Sequence, residues 1–134
     1  MIRLGLPALA TATLLAGCTS LNSTTATFEG TRWQVTAING HATPASDQYA
    51  VRFSNGQIGG QFGCNSFGAP YQAQGGMLTV GPIAATEIAC DGQPGQFENH
   101  GFMVLRQPMR VEWQSDQRVT LSNSAGSIAL ERTP

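Results

Sequence analysis

The sequence predicts an α+β domain, mainly antiparallel β, in which a curled sheet or partial barrel of about seven short strands packs against one helix. Three observations lead to this prediction. Short segments after residue 30 alternate apolar and polar residues, Asn-Gly dipeptides follow two of them, and one late stretch has the spacing of an amphipathic helix. With 134 residues, the chain has room for a single domain.

The first three predicted strands are separated by turn dipeptides. TRWQVTAI, at residues 31–38, alternates and ends at Asn39-Gly40, and an irregular segment follows it. YAVRFS, at residues 49–54, alternates in the same way and ends at Asn55-Gly56, after which QIGGQFGC returns as the third strand. Asn-Gly between alternating segments is the strongest short-range signal for a hairpin, so we expect one here.

The second half of the chain predicts the helix and the remaining strands. MLTVGPIAAT, at residues 77–86, predicts a strand that is interrupted by Gly81-Pro82. PGQFENHGFMVLRQ, at residues 94–107, predicts the helix, because its apolar residues recur at three- and four-residue spacing and Pro94 lies near its start. Three more strands are predicted from MRVEWQ, RVTLSN and SIALER, which begin at residues 109, 118 and 127.

The N-terminus has the layout of a signal peptide. Residues 1–17 contain one charge, Arg3, followed by an apolar run that is too short for a transmembrane helix and then by small residues. The run ends in LLAGC, which resembles the lipobox of bacterial lipoproteins, whose cysteine is acylated and becomes the new N-terminus. We therefore expect lipidation of Cys18; the alternative is an ordinary secretory signal that is cleaved nearby.

Residues 18–30 are predicted to be the lipidated N-terminus and a flexible tether. The segment is rich in Ser and Thr, and twelve such residues have a root-mean-square reach of about 20 Å. Thr19 after the cysteine resembles lipoproteins of the outer membrane. The expected location is the cell envelope, lipid-anchored at the periplasmic face of the outer membrane, with residues 31–134 as the globular domain close to the bilayer.

Charge excludes one class of partner. The chain has no lysine, and removal of the signal peptide leaves six arginines against eight acidic residues. No basic run or stripe is present, so we expect no nucleic-acid binding.

The three cysteines are accounted for if Cys18 carries the lipid. Cys64 and Cys90 are then left in an oxidising compartment, where a disulfide is the expected outcome. Cys64 also shares the parity of the apolar residues before it, which points it toward the core. The alternatives are two free structural thiols, a reactive Cys64 thiol, for which no histidine lies nearby in sequence, and a zinc site, for which two cysteines supply too few ligands.

The middle of the chain resembles the META domain, the family that includes HslJ-like heat-shock lipoproteins. GGQFGCNSFGAPYQAQGGMLTVGPIAATEIAC, at residues 59–90, follows the family pattern of Gly-Cys-Asn, an aromatic residue, a tyrosine and Thr-x-x-Ala-Cys. The residues that carry it include Gly63, Asn65, Phe67, Tyr71 and Thr86, which we expect to shape a turn region around Cys64 and Cys90. Ala69 and Glu87 depart from the pattern, so the local turn geometry and any anion contact at residue 87 are not carried over.

Other candidate residues favour structural roles. Ser66 lacks the glycine two positions earlier that a nucleophile elbow needs. Glu98 and His100 are two positions apart on the predicted helix, so their side chains do not face each other and we expect both on the helix surface. Trp33 and Trp113 are expected in the core or half-buried in strands rather than as a sugar platform. No enzyme activity, cofactor or metal is therefore expected.

The resemblance implies an accessory role in envelope integrity or stress response. Our first hypothesis is a monomeric, non-catalytic domain that is membrane-bound through its lipid and contacts an envelope protein or peptidoglycan. The second is an inhibitor or small-ligand binder that acts on an envelope enzyme such as a protease or a lysozyme, using a loop such as residues 39–48.

Overall fold

The computed structural model describes residues 27–134 and, before them, only residues 5, 7, 8, 10–13 and 17. Cys18 and most of the predicted tether lie outside the described residues. Within the part of the chain that is described, no helix is long and apolar enough to cross a membrane.

The described residues form ten strands and one helix in chain order. Their bounds are β1 Thr31–Ile38, β2 His41–Ala42, β3 Tyr49–Ser54, β4 Gln57–Phe62, β5 Ser66–Gln74, β6 Met77–Val80, β7 Ala84–Ala85, α1 Gly92–Leu105, β8 Met109–Ser115, β9 Arg118–Asn123 and β10 Gly126–Thr133. The predicted helix and the mainly antiparallel character of the sheet are confirmed.

The sheet is a closed barrel rather than the partial barrel of about seven strands that the sequence predicts. Eight strands follow the order β10-β9-β8-β6-β5-β4-β3-β1, and β1 pairs with β10 to close the ring. The short strands β2 and β7 add to β1 and β5 outside the ring. Closure removes the unpaired edges that an open sheet would expose.

Among the eight strands of the ring, β5 is the one that the sequence does not predict, although it is the longest at nine residues. Its sequence, SFGAPYQAQ, contains Gly68 and Pro70, which are more frequent in turns than in strand interiors. Nevertheless, it pairs with β4, with β7 and, over residues 71–74, with β6. Phe67 and Ala69 are buried at alternating positions, so the period-two pattern was present but hidden by the turn residues.

Both predicted Asn-Gly turns form hairpins. Asn39 and Gly40 have φ angles of 53° and 77°, and Asn55 and Gly56 have φ angles of 54° and 72°. Two consecutive positive φ angles define the type I′ turn, whose twist matches the flanking strands. The first turn joins β1 to β2, and the second joins β3 to β4.

Helix α1 covers one end of the barrel. Phe97 and Phe102 point inward, and Phe102 packs edge-on against Phe62 of β4 with ring centroids 5.8 Å apart. Gly101 lies directly over Phe62: a Cβ at this position would be 2.5 Å from the Phe62 ring. The mid-helix glycine is therefore explained by close approach of the helix to the barrel.

The opposite end of the barrel is filled by aromatic residues and by the start of the domain. Phe28 is buried and stacks near Phe53 and Trp113, with ring centroids 4.6 and 5.1 Å away. Trp33 is also buried, and its indole N–H donates to Thr31 Oγ1 over 2.7 Å. Phe28 and Glu29, which the sequence analysis places in the tether, therefore belong to the folded domain.

Candidate functional site

The motif that contains Cys64 lies at the end of β4, where the chain contacts the start of α1. Gly63 has a φ of 118°, and a Cβ there would lie 2.9 Å from Tyr49 Oη and 3.1 Å from the Pro94 carbonyl oxygen. Only glycine fits both that conformation and that space. Gly63 thus allows β4 to turn beneath the helix and places Cys64 and Asn65 against it.

Asn65 is joined to the helix by Glu98. The buried Glu98 carboxylate accepts hydrogen bonds from the Asn65 backbone N–H on Oε1, over 2.6 Å, and from Asn65 Nδ2 on Oε2, over 2.9 Å. The prediction that Glu98 lies on the helix surface is wrong. It is only 7% exposed because it faces Asn65, a partner 33 positions away that the spacing of residues along the helix does not show.

The same asparagine holds the loop between β7 and α1. Its Oδ1 accepts from the Ile88 N–H, over 2.7 Å, and from the Thr86 hydroxyl, over 2.9 Å, while Nδ2 donates to the Ile88 carbonyl over 3.1 Å. Together with the bond to Glu98, these contacts use both donors and both acceptor positions of the side-chain amide. We call this arrangement of Asn65, Thr86, Ile88 and Glu98 the asparagine clamp.

Two further connections fix this loop. Cys64 and Cys90 form the expected disulfide, with their Cα atoms 6.1 Å apart. Thr86 donates its N–H to the Ser66 carbonyl over 3.0 Å, and the Ser66 N–H donates to Thr86 Oγ1 over 3.1 Å. The cysteines are half-buried rather than fully inside the core, because Cys64 lies beyond the end of β4.

The clamp presents an apolar side chain to solvent. Ile88 is 66% exposed, although both its N–H and its carbonyl are bound by Asn65. Its backbone is thus fixed from the inside while its side chain points outward. An exposed isoleucine on a pinned backbone loses little conformational entropy when a partner covers it.

The five motif residues do not form one turn region. Gly63, Asn65 and Thr86 lie around the disulfide, and Phe67 is in the core, stacked on Phe62 with centroids 5.1 Å apart. Tyr71 is at the opposite end of the barrel, because β5 runs the length of the wall between them. The expectation that Tyr71 belongs to the turn is therefore wrong.

A cleft opens at the end of the barrel opposite α1. It has a volume of about 510 Å³ and lies between residues 27–29, the β5–β6 hairpin and β8. β6 and β8 share only the pairs Met77–Arg110 and Leu78–Met109, and β8 continues past them to Ser115. The cleft forms where this short seam ends, and its walls are mainly apolar, with Phe28, Val111 and Trp113 among them.

One polar pair lies at the rim of the cleft. The Tyr71 hydroxyl donates to Glu29 Oε2 over 2.5 Å, and the Gly56 N–H donates to the same oxygen over 3.3 Å. Burial and the Glu29 carboxylate together raise the pKa of Tyr71 to about 12, and the hydrogen bond from Tyr71 lowers the pKa of Glu29 from its ordinary value. The sequence analysis missed Glu29 because it lies next to the Ser- and Thr-rich segment.

The remaining candidates take structural positions. Ser66 is in β5 and accepts a hydrogen bond from Gln61 Nε2 over 2.9 Å. Within the described residues, no three His, Cys, Asp or Glu side chains are grouped so that they could hold a metal ion. Trp33 is in the core as expected, and Trp113 is half-buried at the cleft. In the exposed loop at residues 39–48, the Thr43 hydroxyl donates to the Val35 carbonyl over 2.6 Å.

Comparison with known families identifies the fold. The META domain family model matches residues 26–133, which include all ten strands and the helix. The chain belongs to the META domain family. The resemblance predicted from the Cys-Asn and Thr-x-x-Ala-Cys segments is confirmed. The match also begins before Phe28, in agreement with the burial of that residue in the META domain.

Two solved structures have the same fold. The chain is 23% identical to a protein from Burkholderia xenovorans solved by NMR, with a TM-score of 0.64 over 79% of this chain and 83% of that one. A second NMR structure is 20% identical, with a TM-score of 0.65 over 75% of this chain and 87% of that one. At identities of 23% and 20%, these similarities show only that the fold is shared. No curated protein matches the chain.

The hydrogen bond between Tyr71 and Glu29 couples the titration of the two side chains. The pKa of Tyr71 in the folded state lies above its ordinary value of 10.0. Tyr71 therefore adds to the free energy of unfolding below pH 10, and this contribution is lost as the pH rises toward 12. The pKa of Glu29 lies below its ordinary 4.5, so the Glu29 contribution is present above that pH and is lost as the pH falls. Tyr71→Phe should raise the pKa of Glu29, measured by NMR titration of its carboxyl carbon.

Tyr49→Phe is the matched control for this prediction. Burial raises the pKa of Tyr49 as well, but its hydroxyl does not contact Glu29. An unchanged Glu29 pKa in Tyr71→Phe, or an equal change in Tyr49→Phe, would contradict the assigned contact.

Proposed function

We propose that this META domain is the non-catalytic binding domain of a bacterial lipoprotein, anchored through Cys18 at the periplasmic face of the outer membrane. Its role is accessory, in envelope integrity or stress response, through contact with another envelope component. The partner that fits best is a protein with an apolar pocket. The observation that carries this proposal is the outward presentation of Ile88 by the asparagine clamp.

The use of buried polar groups supports a non-catalytic role. Glu98 is the buried carboxylate of the described domain, and each of its oxygens accepts a hydrogen bond from Asn65. Catalytic acids and bases need a free position for the proton that they transfer. The lone pairs of Glu98 and the side-chain amide of Asn65 are instead used to hold the loop in place. A fixed loop of this kind suits a binding surface.

The loop has the properties of a contact surface. The disulfide and the hydrogen bonds between Thr86 and Ser66 restrict its backbone, so association costs less ordering entropy than it would for a free loop. Residues that dominate binding are apolar or aromatic anchors that fill a pocket in the partner. Ile88 is suited to be such an anchor. Inhibition of an envelope enzyme is one form that this contact would take, if the partner's pocket is an active site.

The cleft favours a second candidate function, the binding of a small apolar ligand. Its volume of about 510 Å³ and its aromatic walls are typical of small-molecule sites. Thr27, which lines the cleft, follows Cys18 by nine positions, a span of at most about 30 Å. A lipid on Cys18 would therefore keep the cleft within that distance of the bilayer surface.

Lipidation is tested on the protein isolated from cells. A mass spectrum of the mature chain should show residues 18–134 with added acyl groups, and Cys18→Ala should release the chain from the membrane fraction. Reduction should add two hydrogens, from the Cys64–Cys90 bond. A mature chain that carries an unmodified Cys18 would refute the anchor while leaving the binding proposal open to its own test.

Three exposed side chains allow a matched crosslinking test of the two candidates. Ile88 is on the clamped loop, Met77 is 40% exposed at the cleft, and Met103 is 51% exposed on α1. Each is replaced in turn by the photo-crosslinker p-benzoylphenylalanine in cells. We expect Ile88→p-benzoylphenylalanine to give one discrete protein adduct on irradiation, and Met103→p-benzoylphenylalanine to give none.

The adduct identifies the class of ligand. A protein adduct at position 88 supports the accessory role, and an enzyme that is crosslinked at its active site in that adduct specifies inhibition. A small-molecule adduct at position 77 with none at position 88 would favour the second candidate instead. An adduct at position 88 that is released only by a muramidase would show peptidoglycan as the partner. Equal adducts at positions 88 and 103 would contradict a specific surface.

A further inference from the structure

A further feature lies on the outer wall of the barrel. Arg32 of β1 is directly opposite Arg52 of β3, and both side chains are exposed. Directly opposed residues on antiparallel strands have Cβ atoms about 5 Å apart, and like charges in such a pair are destabilising. Both side chains line one cavity on this wall, so an anion bound there would offset the repulsion between the two charges.

Two glycines continue this row of paired residues across the neighbouring strands. Arg52 is opposite Gly59 of β4, which in turn is opposite Gly68 of β5. Gly59 is buried, and the Arg52 guanidinium lies over it: a Cβ at Gly59 would be 3.6 Å from Nη2 and would meet nothing closer than 3.4 Å. Neither glycine has a positive φ or a tight contact, so the backbone does not require glycine at these positions.

The opposed arginines are part of a concave, polar surface. It belongs to a cavity of about 500 Å³ on the outer face of β1, β3 and β4. Gln61 and Ser66, joined by a hydrogen bond of 2.9 Å, form one side, and Asp47 is the acidic side chain of the lining. We call this surface, defined by Arg32, Arg52, Gly59, Gln61 and Ser66, the arginine groove.

We propose that the arginine groove binds an oxyanion, a carboxylate or a phosphate, carried by a polar ligand. The two guanidinium groups supply planar pairs of donors that match such an anion. The body of the ligand lies in the cavity, next to the amide of Gln61 and the hydroxyl of Ser66. This site is on the wall of the barrel and adjoins the clamp at Ser66, which pairs with Thr86, but the proposal uses neither the Ile88 side chain nor the cleft.

The test uses the mature chain as isolated, labelled with ¹⁵N. Three probes are titrated: glucuronate for the carboxylate, inorganic phosphate for the phosphate, and glucose as the neutral counterpart of glucuronate. Glucuronate or phosphate should produce saturable shifts at the Arg32 and Arg52 Nε–H groups and at the amides of Gly59 and Gln61. Glucose should not. The probe that binds more tightly identifies the source of the anion.

Variants separate the groove from general charge effects. Arg52→Gln should weaken binding at least about tenfold, the loss expected for one charge-assisted pair. Arg118→Gln removes the same charge from the exposed start of β9 and should leave binding unchanged. Gly59→Val keeps both arginines but displaces the Arg52 guanidinium that lies over Gly59, and should also weaken glucuronate binding.

Three results would overturn the proposal. These are the absence of saturable shifts with both anions, equal shifts with glucose and glucuronate, and equal weakening in Arg52→Gln and Arg118→Gln. An NMR spectrum of each variant without ligand reports whether it is folded, so a loss of binding in an unfolded variant is not counted. Phosphate should also raise the thermal midpoint of Arg118→Gln more than that of Arg52→Gln, since only the former retains the site.

Discussion

The closed end of the barrel depends on the side-chain amide of Asn65. This one group is bonded to the helix through Glu98 and to the β7–α1 loop through the backbone of Ile88. Because it is buried, any of these bonds that is lost leaves an unsatisfied polar group, at a cost of about 1–3 kcal/mol. The helix, the loop and the end of β4 are therefore positioned together. Gly63 and the Cys64–Cys90 disulfide bring the chain to this point, and the asparagine fixes it.

This constraint makes the two ends of the barrel different. At the clamped end, polar groups are fully used in holding the backbone, and the side chain left for contact is the apolar Ile88. At the other end, the short β6–β8 seam leaves a cleft whose rim is the Tyr71–Glu29 pair. The wall between them carries the opposed arginines. Each surface therefore suits a different class of ligand: a protein pocket, a small apolar molecule and an oxyanion.

The turns, the strand bounds and the helix can be predicted from the sequence, because they depend on residues that are close together along the chain. The Asn-Gly dipeptides specify their turns by backbone conformation alone, and the strand bounds at 31–38 and 49–54 follow from alternation beside those turns. The period of the apolar residues predicts the helix, and the number of cysteines together with the predicted export predicts the disulfide. In contrast, β5 was missed because Gly68 and Pro70 resemble a turn. A strand with such residues is stable only because neighbours on both sides pair with it.

The contacts that form the candidate sites could not be predicted from the sequence, because they join residues that are far apart along the chain. Glu98 was placed on the surface because its partner is 33 positions away, and no periodicity along a helix reveals such a contact. The burial of Phe28 and the bond from Tyr71 to Glu29 were likewise hidden, because they join the start of the domain to the far end of β5. The opposition of Arg32 and Arg52 depends on the register of β1 and β3, which the sequence predicts as separate strands only.

The most direct test of the asparagine clamp is amide hydrogen exchange at Ile88. The Ile88 side chain is 66% exposed, yet its N–H donates to Asn65 Oδ1 over 2.7 Å. We predict that this amide exchanges at least about tenfold more slowly than an unprotected amide, which corresponds to about 1.4 kcal/mol of local stability. Asn65→Ala should abolish that protection while the amide of Val35 in β1 stays protected. Exchange of the Ile88 amide at the unprotected rate in the unaltered protein would contradict the clamp.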